Sequence, residues 1–279
     1  MVKKDIIIIL IIVLVIVVLT ILSYKKEDTT GYDMEIYFFN AGKADAILIT
    51  HNEKHILVDT GEESFGDEIL AYLMNHNINK LDYLIITHFD KDHVGGAKTI
   101  IDNIEIGEVL ETNYIKESEY YWKYKNALSD KDIIPVEVET NYNLSFENNN
   151  GFKMSIEGPQ KIYDSNESNN SSLIVSIIYN NTKFLLTGDI QNARIKDFVS
   201  TNQVTYDFIK IPYHGRYQKR LDDLLDNVKP KYGVMTCSKT EGCESETIEV
   251  LASKNIKYYM TKNGSIRVLS NGEDIKIIN

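Results

Sequence analysis

The apolar run Tyr83-Leu-Ile-Ile86 ends in Thr87-His-Phe-Asp-Lys-Asp-His-Val-Gly-Gly96, and no other stretch restricts the fold so strongly. A short, nearly uninterrupted apolar segment reads as a strand buried on both faces. Two imidazoles and two carboxylates follow at once: His88, Asp90, Asp92 and His93. In extended backbone, residues two apart face the same way, so His88 and Asp90 can approach one centre. Asp92 and His93 come next, at the mouth of a helix opened by Gly95-Gly96, where backbone can pass close to a ligand or another strand. Two neutral imidazoles and two carboxylates are donors that a divalent transition ion takes. The plainer alternative is a solvated turn or an acid-rich helix cap.

The rest of the chain supplies strands and helices around this segment. Period-two and short apolar runs predict strands at 35–39, 46–50, 55–59, 152–157, 173–179, 183–187, 208–211, 232–236, 265–269 and 274–278. Helical spacing predicts helices at 67–75, 95–102, 117–128, 191–200, 219–226 and 247–253. The low-complexity stretch 165–172 reads as a loop. Each half runs strands, then helices and strands, which favours a layered α/β domain with two sheets and helices packed outside. Tyr120, Tyr121, Trp122 and Tyr124 lie on one predicted helix and read as packing against the domain rather than as a stacking platform.

With 30 basic and 41 acidic residues the net charge is −11, which argues against tight non-specific binding to nucleic acid. Chemistry on a phosphate stays open, because bound divalent cations reverse the local sign. Cys237 and Cys243 cannot build a thiolate zinc site; they could pair with each other or stay reduced.

Residues 6–22 carry no charge and, as a helix, would span roughly 26 Å, near the short limit for a bilayer core. Lysines bracket the run, and no small-x-small cleavage site follows Leu22. The expectation is a single-pass anchor over residues 1–24, a polar linker over 25–33 and one domain over 34–279. The N-terminus would lie inside the cell membrane and the domain outside.

The segment Thr87–Gly96 resembles the signature of the metallo-β-lactamase fold superfamily, usually His-x-His-x-Asp-His, with Asp90 in the place of the second histidine. Phe39-Asn-Ala-Gly-Lys-Ala-Asp-Ala46 and Ile56-Leu-Val-Asp-Thr-Gly61 resemble its opening strands. Phe184-Leu-Leu-Thr-Gly-Asp-Ile190 resembles the segment of the metal-bridging aspartate, and Lys210-Ile-Pro-Tyr-His-Gly215 the last ligand motif. Within the superfamily the combination is most similar to the metallo-hydrolase domain of ComEC-type competence proteins. The resemblance implies a four-layer αββα sandwich and one or two divalent ions, manganese or zinc. His88 and Asp90 would serve one position, Asp92, His93 and His214 the other, with Asp189 between them and Asp59 orienting a ligand. Two departures stand out. The segment before residue 173 offers Asn169-Asn-Ser-Ser172 where many members supply a further histidine, and Tyr213 and Arg216 replace a histidine and a serine.

These residues lead to a membrane-anchored hydrolase of phosphodiesters, nucleic acid included, acting through a metal-activated water held by Asp92. Tyr213 and Arg216 are candidates to touch the substrate. The alternatives are hydrolysis of a lactone, thioester or β-lactam, and a non-catalytic metal-binding surface module. No stable protein partner is inferable.

Overall fold

The computed structural model describes residues 9–15, 29–144, 146, 150–163 and 168–279. The chain divides into two units, Met1–Gly31 and Tyr32–Asn279. Most of the expected anchor lies outside the described residues; residues 9–15 are helical. A span needs about 20 apolar residues, and among the described residues no helix is long and apolar enough to cross a membrane. The single-pass membrane location is therefore withdrawn.

Alternation along the strands builds the second unit. In β1 (Met34–Phe38), Ile36 and Phe38 face one core while Tyr37 and the following Phe39 face another. The same division separates Ile47 and Ile49 from Leu48 in β2 (Ala46–His51), and Ile56 and Val58 from Leu57 in β3 (Lys54–Thr60). The next strands are β4 (Lys80–Ile86), β5 (Glu105–Thr112) and β6 (Val136–Val138). A second set comprises β7 (Asn141–Asn143), β8 (Phe152–Glu157), β9 (Ile174–Tyr179), β10 (Thr182–Leu186), β11 (Phe208–Lys210), β12 (Tyr232–Met235) and β13 (Lys257–Met260). The chain ends with β14 (Ile266–Ser270) and β15 (Ile275–Ile278).

Among the described residues these strands form an eight-stranded sheet, ordered β15-β14-β1-β2-β3-β4-β5-β6, and a seven-stranded sheet, β13-β12-β11-β10-β9-β8-β7. The inner faces of both meet in one core, where Phe38 packs on Phe208. Outside the first sheet lie α1 (Gly66–Asn75), the single turn α2 (Lys91–Val94), α3 (Ala97–Asn103) and α4 (Glu119–Asp130). Outside the second lie α5 (Asn192–Thr201), α6 (Leu221–Val228) and α7 (Ser245–Ser253). Each helical layer covers its own sheet with a separate core. The result is an α/β fold of two sheets flanked by helices, as the resemblance implied.

Tyr121 and Tyr124 of α4 are buried, so that tyrosine-rich helix packs largely on its domain while Trp122 stays exposed. The stretch expected as loop holds a 3-10 turn, Ser168–Ser171, whose Asn170 Oδ1 accepts from the backbone N–H groups of Gln191 and Arg194 and so caps α5.

Within each sheet the parallel strands end together, β3 with β4 and β10 with β11 and β12, and the two sets of ends meet where His93 faces Asp189. Their C-terminal ends carry Asp59, His88, Asp189, Lys210 and Thr236. The paired glycines seal this edge. A Cβ on Gly96 would stand 2.4 Å from the Thr60 carbonyl oxygen, and one on Gly95 would stand 2.5 Å from the Glu63 backbone nitrogen. Thr60 Oγ1 in turn donates to the carbonyl of His93 at 2.8 Å. Gly96→Ala should therefore destabilise the fold by about 1–3 kcal/mol, the usual range for overpacking. Denaturant unfolding checks it; an unchanged midpoint would show that this backbone approach is not tight.

Candidate metal centre

Three histidines converge on the edge where the parallel strands end, and their hydrogen bonds fix which nitrogen each presents. His93 Nδ1 lies 2.7 Å from Asp59 Oδ2. A carboxylate only accepts, so Nδ1 carries the hydrogen and Nε2 keeps its lone pair in the neutral ring. His214 Nδ1 lies 3.1 Å from the carbonyl oxygen of Thr236, which imposes the same tautomer. His88 Nδ1 meets two hydroxyls, Thr87 Oγ1 at 3.1 Å and Ser172 Oγ at 3.2 Å. Thr87 Oγ1 already donates to Asp59 Oδ2 and Ser172 Oγ to the carbonyl of Asn169. The imidazole must again be the donor at Nδ1. His88 Nε2 is left buried with no hydrogen-bond partner among the described residues.

The spacing of the remaining donors suits one ion. Asp189 Oδ2 stands 2.8 Å from His214 Nε2 and 3.3 Å from His93 Nε2, and these two nitrogens are 3.3 Å apart. Asp92 Oδ2 is 3.5 Å from His214 Nε2. Ligands bonded at 2.0–2.1 Å in a tetrahedron lie about 3.3 Å from one another, which these separations bracket. An orphaned buried nitrogen beside this set is a second sign that the residues fit a metal.

Asp45, for which sequence reasoning assigned no role, belongs to the same cluster: ligand atoms of Asp45, His93, Asp189 and His214 all lie within 4.8 Å of one another. Its oxygens nevertheless approach the Nδ1 sides, 3.4 Å from His214 and 3.9 Å from His93. Oδ1 accepts from Thr236 Oγ1, and Oδ2 pairs with the ammonium of Lys210. Asp45 therefore supports the ligands from behind, as Asp59 does for His93. Lys210, also unassigned from sequence, is fully buried and further bonds Asp189 Oδ1 at 3.1 Å and the Gly188 carbonyl at 2.8 Å.

Electrostatics show what the metal-free cluster holds instead. Burial opposes charge on His93, yet Asp189 and Asp59 raise its pKa well above the ordinary value. Burial likewise opposes charge on His214, but Asp189, Asp45 and Asp92 push it up to about 9. Asp189 is held well below the usual carboxylate range, against burial, by His214, Lys210 and His93. Protons thus sit where an ion would, and loading an ion releases them. His88 differs: burial, then the neighbouring charge on His93, lowers it to about 4, so its ring is neutral at physiological pH.

The backbone is strained where it delivers these groups. Asp59, Tyr213 and His214 are non-glycine residues with φ of 57°, 53° and 54°. Such conformations cost about 1–3 kcal/mol each and persist where the surroundings over-determine them. The His214 turn is held by Cys243 N–H donating to its carbonyl at 3.0 Å and Glu244 N–H donating to that of Gly215 at 3.0 Å. Cys237 and Cys243 form a disulfide that closes this loop.

The remaining candidates lie at the rim. Asp92 is bound by Lys43 Nζ at 2.5 Å. Burial raises its pKa, but His214 and His93 pull it below the ordinary carboxylate range, so it is a hydrogen-bond acceptor rather than a holder of a proton. Asp90 Oδ1 stands 3.9 Å from His88 Nε2 and accepts from Lys116 and Ser168. Arg216 stacks over Tyr213, 5.4 Å from the ring centroid, and makes a loose 3.5 Å contact with Glu241.

The fold and this donor set define a protein of two packed sheets with a histidine–aspartate cluster at one edge that could hold a metal ion. The match to the metallo-β-lactamase superfamily spans residues 40–238, and the chain belongs to that superfamily, most of whose known members are hydrolases. It is 22% identical over 257 residues to ComE operon protein 3 of Bacillus subtilis (strain 168), covering 84% of this chain and 32% of that protein. Recombination protein 2 of Haemophilus influenzae is 26% identical over 228 residues, covering 79% of this chain and 26% of its own length. Competence protein ComA of Neisseria gonorrhoeae is 20% identical over 219 residues, covering 76% and 28%. The likeness to ComEC-type competence proteins stands, although the chain spans only about a third or less of these relatives. The metallo-β-lactamase fold protein YhfI from Bacillus subtilis superposes with a TM-score of 0.57 at 9% identity, covering 88% of this chain and 99% of that one.

Proposed function

We propose that this chain is a metal-dependent hydrolase of phosphodiesters, with nucleic acid as the substrate class. The observation that carries the reading is the convergence of His93 Nε2 and His214 Nε2 with the carboxylates of Asp189 and Asp92. A divalent ion held by Asp92, His93, Asp189 and His214 would supply a water of lowered pKa and polarise a phosphoryl oxygen. Asp92, ionised and acceptor-only, orients that water through a hydrogen bond. Zinc and manganese both suit these donors.

Two cations favour an anionic substrate over a neutral carbonyl. Lys43 is partly exposed above Asp92, and Arg216 is close enough to act on it electrostatically. Arg216, stacked over Tyr213 and loosely paired with the exposed Glu241, can turn to clamp a phosphate oxygen. Relatives named for competence and recombination support nucleic acid as the source of that phosphodiester.

The test is hydrolysis of bis(p-nitrophenyl) phosphate and of DNA fragments by the manganese- or zinc-loaded protein. The variant carrying Asp92→Ala and His93→Ala should lose on the order of 10³-fold or more in rate. Equal rates for both proteins would end the enzyme reading. Faster turnover of a thioester, lactone or β-lactam than of any phosphodiester would replace the substrate class.

A further inference from the structure

We propose that the ammonium of Lys116 is the resident cation of the His88–Asp90 position, so that the chain holds one divalent ion tightly and admits a second only when Lys116 leaves. This inference rests on the metal reading above and concerns how many ions the site takes.

Asp90 Oδ1 lies 3.9 Å from His88 Nε2. That oxygen already accepts from Lys116 Nζ at 2.7 Å and from Ser168 Oγ at 2.7 Å, and these two donors lie 3.3 Å apart. The ammonium thus sits against the carboxylate that a second ion would need. A further donor is missing as well. Ser172 Oγ faces His88 Nδ1 rather than Nε2, and it donates to the Asn169 carbonyl while accepting from the Asp189 backbone N–H at 3.1 Å. His88 Nδ1–H donates to the same oxygen, which leaves it no free lone pair. Asp189, expected between the two positions, turns Oδ2 to His93 and His214 and has Oδ1 held by Lys210 Nζ at 3.1 Å. One nitrogen and one engaged carboxylate then fall short of the three protein ligands that open metal sites use.

Charge points the same way. A dication placed beside an ammonium is repelled about twice as strongly as a single charge would be. Lys116 lies between β5 and α4, outside any helix or strand, and its side chain is 41% exposed. An ion pair this open is weak, so Lys116 can swing out, which makes the second position conditional rather than absent.

The experiment is a manganese titration of the metal-stripped full chain. Free ion is read by electron paramagnetic resonance, and bound metal by elemental analysis after gel filtration. The unmodified protein should take one tight equivalent. Lys116→Met should take two, the second at least roughly 100-fold tighter than in the unmodified protein. Lys116→Arg, which keeps the charge on the same surface loop, should stay at one. Two equally tight equivalents in the unmodified protein, or a single equivalent in Lys116→Met, would overturn the inference. No tight equivalent in any variant would sink the underlying metal reading too, and is thereby distinct from loss of the Lys116 effect alone.

Discussion

Asp189→Ala should cost the protein its tightly held ion, lowering divalent-metal affinity by more than about 100-fold, beyond the 10- to 100-fold expected when a group behind a ligand is removed. Asp189 Oδ2 lies within 3.3 Å of both His93 Nε2 and His214 Nε2, the carboxylate oxygen that meets both imidazoles. Its own backbone N–H is anchored to Ser172 Oγ. Asp59→Asn sets the scale for comparison. It alters a carboxylate that lies behind the ligands, orienting His93 and accepting from Thr87, so a loss of 10- to 100-fold is expected there. Chelator competition with a zinc-sensitive dye measures both. Equal losses in the two variants would place Asp189 behind the ligands rather than among them, and unchanged affinity in Asp189→Ala would remove the metal centre from this edge of the sandwich.

How much of this centre the sequence displays depends on the distance over which each residue finds its partner. His88, Asp90, Asp92 and His93 lie in one short run after an apolar strand, so their residue types and spacing announce a site. Asp189 and His214 were reached through motif resemblance, and the structure brings both to His93. Asp45 and Lys210 are not legible in the same way, because a lone aspartate in Phe39–Ala46 and a lone lysine in β11 carry no local signal. Their pairing, between positions far apart in the chain, is what makes burial of the two charges tolerable.

The same holds for strands. Alternation exposed β1 to β3, whereas Glu105, Gly107 and Glu108 interrupt the apolar pattern of β5 and hid it. Its Glu111 is buried, and Tyr124 and Lys125 of α4 bond its two oxygens. β13, with no fully buried residue, was hidden for the opposite reason. The 3-10 turn at Ser168–Ser171 was read as loop since Ser and Asn favour turns, and its capping of α5 is a tertiary contact that composition cannot show.

Lys210→Met should destabilise the metal-free protein by about 3–5 kcal/mol, the cost of leaving a buried charge without its partner. The lysine is fully buried, and burial opposes its charge, yet Asp45 and Asp189 raise its pKa above the ordinary value. Methionine fills most of the same volume, so packing changes little; what is lost is the cation between two buried carboxylates. A bound divalent ion beside Asp189 supplies charge from the other side. The deficit measured by denaturant unfolding should therefore shrink when the protein is saturated with zinc or manganese. Asp45→Asn combined with Lys210→Met should likewise cost less than the sum of the two single changes, since it removes one of the stranded charges along with the lysine. An unfolding midpoint for metal-free Lys210→Met equal to that of the unmodified protein would show that water or a proton satisfies Asp45 and Asp189 as well as the ammonium does. A deficit that metal leaves unchanged would separate Lys210 from the ion altogether, making it a strut of the fold rather than part of the charge balance at the centre.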